Sequence, residues 1–245
     1  MSHFQPPRWP GLLLLWGLPL SFVVLSWWAA AGFPYYLDNN ETFLSYVHAR
    51  NLEIWNPGEY GWLTAEATDP QQPAVSDIYS HNPNGPRFLH YALLRLGLRE
   101  LPLQLLAISL VGTLMTLWLL TRSFWRPGLC VVALAVALDY VGFLSWTVNT
   151  YRIWVFVLFF GLVMAVARRR PFSMALFTFL LFQLEYGTAL FVGATITMLV
   201  LLLRGWRDFS LIVASAVGAI LSVGLFAIQV LAYYGPEGFL RELSE

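Results

Sequence analysis

The chain has 245 residues, of which 58% are hydrophobic and 11% are charged. An average soluble domain is about half apolar and about a quarter charged, so the composition argues against a soluble enzyme. With 14 basic and 14 acidic residues the net charge is zero and gives no indication of a nucleic-acid partner. All 14 basic residues are arginine, and the lack of lysine excludes Schiff-base chemistry and a Walker-type phosphate lysine. The single cysteine, Cys130, excludes an intramolecular disulfide and a cysteine-based metal site.

Apolar residues come in blocks of about twenty, the length that crosses a hydrocarbon core of about 30 Å. They define seven candidate spans: Gly11–Phe33, Leu101–Thr121, Gly128–Thr147, Ile153–Ala167, Phe172–Tyr186, Thr188–Leu203 and Phe209–Tyr233. The fifth and sixth spans are short and adjacent, which favours a tight helical hairpin formed by the two. The first also resembles a signal peptide, although its apolar run of about 23 residues exceeds the 7–15 of a signal core. The sequence therefore predicts an all-α polytopic membrane bundle, with residues 1–245 forming one module.

The arginines predict the orientation of these spans, because basic residues in short loops stay on the cytoplasmic side. With the N-terminus inside, that side receives Arg8, Arg122, Arg126, Arg168–Arg170, Arg204 and Arg207. The opposite side receives most of the acidic residues in one long loop, residues 34–100. We therefore expect a plasma (inner) membrane protein with this loop and its C-terminus outside.

A loop of this length is too long for a simple connector and is expected to carry function. Two stretches in it, Glu41–Ile54 and Arg87–Leu98, are amphipathic but too short to span. Their apolar faces carry Phe43, Leu44, Val47 and Ile54 in the first, and Leu89, Leu93 and Leu96 in the second. We expect both to be helices lying along the outer membrane surface. Between them, Trp55–Pro86 is rich in turn-forming residues and is predicted to be irregular.

The loop holds three candidate chemical features. Asp38, with Glu41 close behind it, follows the first span; a carboxylate there suits a general base acting on a hydroxyl, although aspartate before a helix is also a common N-cap. His81 precedes the second surface helix in a turn, where a structural role competes with a role in binding. Arg87, Arg95 and Arg99 suit a lipid-linked phosphate, and snorkelling to ordinary lipid head groups is the competing interpretation.

Three polar residues lie within or at the ends of the predicted spans. Asp139 is near the middle of the third span, where a role in holding helices together explains it as well as chemistry does. Arg152 opens the fourth span and Glu185 ends the fifth, both at the depth of the presumed outer cavity. These two are the better candidates for ligand contact.

The order of these features resembles the GT-C superfamily of glycosyltransferases that use polyprenyl-phosphate sugars, particularly its protein O-mannosyltransferase and aminoarabinose-transferase-like branch. Asp38-Asn39-Asn40-Glu41 stands at the family's acidic motif, and the segment from His81 to Pro86 stands at its His-Pro-Pro-like turn. Asn149-Thr150-Tyr151-Arg152 replaces an Arg-x-x-Asp-like segment, and the family's lysine near the fifth span is absent. The chain thus resembles a minimal or truncated seven-span core.

The resemblance implies an inverting hexosyl or pentosyl transfer from an outward-facing polyprenyl phosphate to a glycan, lipid or protein acceptor. Asp38 would be the base, and Glu41 would orient the acceptor or hold a divalent metal ion. The donor site would take His81, Arg87, Arg95, Arg99, Arg152 and Glu185. Two alternatives remain: a transporter or lipid flippase with a path through Asp139, Arg152 and Glu185, and a non-catalytic assembly subunit of GT-C-like fold.

Overall fold

The computed structural model describes residues 40–54, 57–65, 78–79, 85–123 and 152–242, together with helical positions 17, 20, 21 and 24. The helices in these ranges are α1 (Asn40–Ile54), α2 (Gly85–Arg95), α3 (Leu101–Ser123), α4 (Arg152–Ala167), α5 (Pro171–Leu184), α6 (Tyr186–Arg204) and α7 (Phe209–Glu242). Pro57–Tyr60 and Gly205–Asp208 form 3₁₀ turns. The two-residue strands β1 (Thr64–Ala65) and β2 (Ile78–Tyr79) pair antiparallel inside the segment predicted to be irregular. The described chain is otherwise helical.

Helices α3 to α7 each coincide closely with a predicted span. Of these, Leu101–Leu119 and Phe209–Arg241 are long and apolar enough to cross a membrane, which points to membrane association. Val157–Ala167, Pro171–Leu184 and Tyr186–Leu202 are apolar but shorter. Most of Gly11–Phe33 and all of Gly128–Thr147, with Asp139, lie outside the described residues. The count of seven spans therefore stays a prediction.

Helix α5 packs against α4, α6 and α7. The core between these helices is apolar, with Leu162, Met174, Leu181 and Ile196 almost fully buried. Two polar contacts join α5 to α7: Thr178 Oγ1 lies 3.0 Å from Ser215 Oγ, and Gln183 Nε2 donates to Ser222 Oγ at 2.8 Å. Hydrogen bonds between membrane helices average roughly 0.6 kcal/mol each, so they add to the packing without replacing it.

Outside this core, α6 and α7 present large apolar side chains to their surroundings. Strongly exposed examples are Leu190, Phe191, Met198, Leu202, Ile220 and Ile228. A contiguous exposed apolar surface marks a membrane or partner contact rather than an ordinary water-exposed surface. The outer faces of these helices suit lipid.

The close contact of α5 and α7 depends on Gly218. A Cβ at this position would collide with the backbone carbonyl of Ala175, whereas a Cβ at Gly224 on the same helix would meet nothing within 4 Å. We expect Gly218→Ala to lower the free energy of unfolding by about 1–3 kcal/mol, as overpacking does. Gly224→Ala is the control and should be neutral or stabilising, because alanine favours a helix by about 1 kcal/mol over glycine. Thermal unfolding in detergent would measure both, and equal effects of the two changes would contradict the proposed contact.

Helix α7 continues past the predicted end of its span at Tyr233 and bends there. Gly235 has φ 69° and Pro236 follows it inside the helix. With a ψ of 179° as well, Gly235 interrupts the helix in a conformation that glycine tolerates, and Pro236 begins the next helical segment, where a missing N–H costs little. Phe239, beyond the kink, packs with Val230 and Leu63 of the loop. The end of α7 thus holds residues 57–65 against the bundle.

The bundle has two chemically different ends. At the loop end, Leu63 is buried against Val230, and Gly85 at the start of α2 abuts the backbone of Gln183 at the end of α5. At the arginine end, Arg169 Nε lies 3.4 Å from Asp208 Oδ2, which joins the α4–α5 turn to the turn before α7. Since α5 runs from the arginine end to the loop end, its neighbours place α1, α2 and residues 57–65 together at the loop end.

Candidate functional site

Helix α1 buries polar side chains together with apolar ones. Ser45, His48 and Asn51 are buried, whereas Phe43 and Leu44 are exposed. The buried face packs on α2 and on β1. Ala49 and Leu52 are buried as well and Arg50 is exposed, so α1 does not divide into a buried polar face and an exposed apolar face. The packing brings polar groups together between α1 and α2.

Helix α2 contributes the two buried basic groups of the site, Arg87 and His90. Its apolar residues Leu89 and Leu93 pack with Ile108 of α3 and Trp154 of α4. The helix ends at Arg95, before the predicted end at Leu98. The reason is a glycine C-cap: Gly97 has φ 88°, and the Leu98 N–H donates to the Leu93 carbonyl at 3.0 Å. This turn redirects the chain into α3.

His90 is tied to α3 through Gln104. Its Nδ1 lies 2.5 Å from Gln104 Oε1, and Gln104 Nε2 donates to the Leu98 carbonyl at 2.5 Å. Because the amide nitrogen is used on Leu98, the oxygen faces the ring and accepts, so His90 carries its proton on Nδ1. Burial lowers the pKa of His90 to about 4, against a smaller raising effect of the Gln104 hydrogen bond. His90 is therefore neutral at physiological pH.

His48 faces Arg87 across the α1–α2 contact. Burial, and after it the positive charge of Arg87, lower the pKa of His48 to about 3. The imidazole is fully buried and the Arg87 residue is 8% exposed. A guanidinium stays protonated in proteins, so Arg87 supplies a fixed positive charge beside a neutral histidine. The layer between α1 and α2 thus contains a guanidinium beside a neutral imidazole.

His48 and His90 should make the free energy of unfolding decrease as the pH falls below neutral. Each has a folded-state pKa below its ordinary value of about 6.5, so the folded state resists protonation that the unfolded state accepts. Their contribution is complete above pH 6.5 and is lost as the pH falls from there toward 4 and then 3. At pH 5 the loss is about 2 kcal/mol for each histidine. Thermal unfolding at pH 7.5 and pH 5 would measure this loss of stability. His48→Asn should remove about half of it. A loss as large in this variant as in the parent would mean that His48 is not one of the groups responsible.

The three arginines predicted for α2 do not share one environment. Arg87 is buried, Arg95 is exposed at the last turn, and Arg99 lies beyond the helix end. Arg99 Nη2 lies 3.9 Å from Glu53 Oε1, and the Arg99 carbonyl accepts from the Tyr46 hydroxyl at 2.6 Å. Arg99 thus helps to join α1 to the α2–α3 turn. Of the three, only Arg87 lies inside the polar layer.

Glu185 connects α5 to α6 as a single extended residue, with φ −166° and ψ 126°. Its backbone N–H donates to the Leu181 carbonyl, and its Oε2 accepts from the Thr188 N–H at 2.9 Å. This is the N-cap arrangement of α6, so the structure gives Glu185 a capping role. Residues 205–208, which follow α6, return to the arginine end through Asp208. The predicted hairpin is therefore present.

The remaining predicted site residues are only partly described. Arg152 begins α4 as predicted and Glu41 lies in the first turn of α1, and in both cases the backbone alone is described. Asp38, two residues upstream of α1 in the sequence, and His81 lie outside the described residues. Within the described ranges, no group of three or more His, Cys, Asp or Glu side chains is placed to hold a metal ion. The divalent-ion prediction depends on Glu41 and stays a prediction.

Two buried polar groups at the loop end were not anticipated from the sequence. The Trp154 indole nitrogen and the Tyr186 hydroxyl have no hydrogen-bond partner among the described residues. The Tyr186 ring lies edge-on to Phe226 and tilted against Phe182. Buried donors without partners are uncommon and call for an explanation, such as a ligand. The sequence offered one signal for these two groups, because Trp154 and Tyr186 lie close to the predicted site residues Arg152 and Glu185.

Comparison with known proteins adds nothing to this picture. No family model matches the chain, and neither the curated proteins nor the solved structures include a detectable relative.

Proposed function

We propose that this chain is an inverting membrane glycosyltransferase that moves a sugar from an outward-facing polyprenyl phosphate to an acceptor hydroxyl. The observation that carries the proposal is the buried guanidinium of Arg87, held beside neutral His48 between α1 and α2. Charge-assisted hydrogen bonds from arginine to phosphate are among the strongest that proteins make. A phosphate at the membrane surface is the anion that this location suits best.

The surroundings of Arg87 support a ligand that bridges the membrane surface. Arg87 lies in the first turn of α2, two residues after Gly85, which abuts the end of α5. The buried donors of Trp154 and Tyr186 lie in the first turns of α4 and α6, at the same end of the bundle. Apolar side chains cover the outside of α1. A lipid-linked sugar phosphate needs these chemistries together: a cation for phosphate, donors for the sugar and an apolar path for the chain.

In the proposed reaction the acceptor oxygen attacks the anomeric carbon while the bond from that carbon to the phosphate oxygen breaks. Asp38 takes the proton of the acceptor hydroxyl, and the polyprenyl phosphate leaves with the electron pair of the broken bond. Arg87 offsets the negative charge that builds up on this leaving group. Glu41 orients the acceptor or holds a divalent ion, and His81 shapes the donor pocket. Arg152 is the second candidate for the phosphate, whereas Arg95 and Arg99 contribute less because they are exposed.

The proposal includes the predicted topology, with the arginine end in the cytoplasm and the loop end outside. Its rival is a transporter or flippase, for which a helix broken inside the membrane would be the mark. The break at Glu185 is of another kind, because it reverses the chain into a hairpin in which the Glu185 carboxylate caps α6. The site therefore suits a glycosyltransferase better than a transporter or flippase. A non-catalytic subunit would keep the fold and lack transfer.

The test is consumption of a radiolabelled donor by the purified chain in vesicles that contain a membrane extract as the source of acceptors. A panel of polyprenyl-phosphate hexoses and pentoses would be supplied, and labelled product and free polyprenyl phosphate would be measured. We expect at least one donor to be converted. Movement of intact donor between leaflets without conversion would support the flippase instead. Binding of donor with neither outcome would support the non-catalytic subunit.

A further inference from the structure

The arginine end of the bundle carries a second positive surface, which the proposed function does not use. The basic patch consists of Arg168, Arg169, Arg170 and Arg207, all exposed. The ion pair of Arg169 with Asp208 holds the α4–α5 turn beside the turn that precedes α7, which brings these residues from two separate loops into one surface. Among the described residues, no acidic side chain pairs with Arg168, Arg170 or Arg207.

The same pattern marks the entry to both helices next to the patch. Arg170-Pro171-Phe172 leads into α5 and Arg207-Asp208-Phe209 leads into α7. Phe172 is 80% exposed and Phe209 is 46% exposed, although each begins an apolar helix. An arginine followed two residues later by an exposed aromatic ring places a cation at the level of lipid phosphates and a ring just below it. A surface for a soluble acidic partner would have no use for the two rings.

We propose that the two Arg-x-Phe corners, joined by the Arg169–Asp208 pair, bind the head group of an anionic phospholipid in the leaflet opposite the candidate site. The guanidinium groups take the phosphodiester and the negative charge, and the phenylalanine rings contact the upper acyl chains. Basic surfaces between helices on the cytoplasmic side of membrane proteins suit such head groups. The inference depends on the chain spanning a membrane and is independent of the glycosyltransferase proposal.

The experiment uses the purified full chain in a nonionic detergent with equal amounts of phosphatidylglycerol and phosphatidylcholine. Lipid retained per protein after washing would be measured by mass spectrometry. We expect the parent to prefer phosphatidylglycerol by about tenfold or more, since each basic residue near an anionic lipid adds severalfold. The triple variant Arg168→Gln, Arg170→Gln, Arg207→Gln should lose this preference. It retains Arg169, so the pair with Asp208 and the turn geometry are preserved.

The matched control is Arg50→Gln with Arg241→Gln, which removes exposed arginines from the loop end. It should keep the preference of the parent; an equal loss would mean that any arginine serves and would overturn the site. An unchanged preference in the triple variant would overturn it as well. On the parent alone, 0.5 M salt should weaken the preference, because exposed charges are screened, and a salt-independent preference would refute the role of the arginines. Inorganic phosphate at equal concentration should not displace the lipid, and displacement would indicate a soluble anion.

Discussion

Replacing Asp38 with asparagine is expected to lower sugar transfer by about 10²–10⁴-fold, the usual contribution of a general base. The amide has the size of the carboxylate but does not accept a proton near neutral pH. The helix that follows should form in either case, because α1 begins at Asn40 and asparagine caps a helix as well as aspartate does. Donor binding should therefore survive. The measurement is transfer of radiolabelled sugar from a polyprenyl-phosphate donor in vesicles, with donor binding measured on the same preparations.

Glu41→Gln is the control for this prediction. Glu41 lies in the first turn of α1, one helical residue after Asn40, and a supporting carboxylate should cost less than the base itself. If Asp38 only caps the helix, Asp38→Asn should behave nearly as the parent does. Full transfer activity in the asparagine variant would end the proposed mechanism, whereas loss of donor binding together with transfer would move Asp38 from catalysis to binding.

Arg87→Gln should weaken donor binding by about ten- to 150-fold, which corresponds to the roughly 1.5–3 kcal/mol of a hydrogen bond to a charged group. The reason is burial: Arg87 is 8% exposed, so water screens its charge little. Glutamine retains polarity and much of the length but loses the charge. Equilibrium binding of a labelled polyprenyl-phosphate sugar in detergent would measure the effect.

Arg95→Gln is the matched control, since Arg95 belongs to the same helix and is exposed. Its effect on donor affinity should stay within about twofold, as for exposed charge pairs. Equal losses of donor affinity in both variants would show that the buried arginine binds the phosphate no better than the exposed one. Should Arg87→Gln fail to fold, Arg87→Lys keeps the charge and removes the bidentate geometry. If the lysine variant binds the donor as tightly as the parent does, the proposed contact needs only a positive charge and not bidentate hydrogen bonds.

The helices were predictable because apolar periodicity and length define them directly. The predicted starts of α3, α4 and α7 agree with the structure to within one residue. The ends were harder, since Gly97 stops α2 early, and α7 resumes at Pro236 after the interruption at Gly235. These residues can be read from the sequence, but whether a particular glycine or proline ends a helix depends on the contacts that the following chain makes.

The site was predictable in composition but not in geometry. Four-residue spacing put Arg87, Arg95 and Arg99 on one side of a helix, yet α2 ends at Arg95, and of the three only Arg87 is buried. The link between His90 and Gln104 crosses a turn and depends on tertiary packing. Glu185 caps α6, a role that its position at the predicted hairpin already allowed, and its contact with a ligand stays a prediction.

The one-residue turn at Glu185 also has a consequence for the surrounding lipid. It ends α5 after 14 residues, a length of about 21 Å at 1.5 Å per residue. A hydrocarbon core of about 30 Å exceeds that helix by roughly 9 Å, so a crossing by α5 requires the bilayer to become thinner beside it. The part of α7 before Gly235, residues 209–234, is about 39 Å long and imposes no such requirement on its side of the bundle. In such a membrane the protein creates an asymmetric depression in thickness, and lipids with shorter chains should accumulate next to α5.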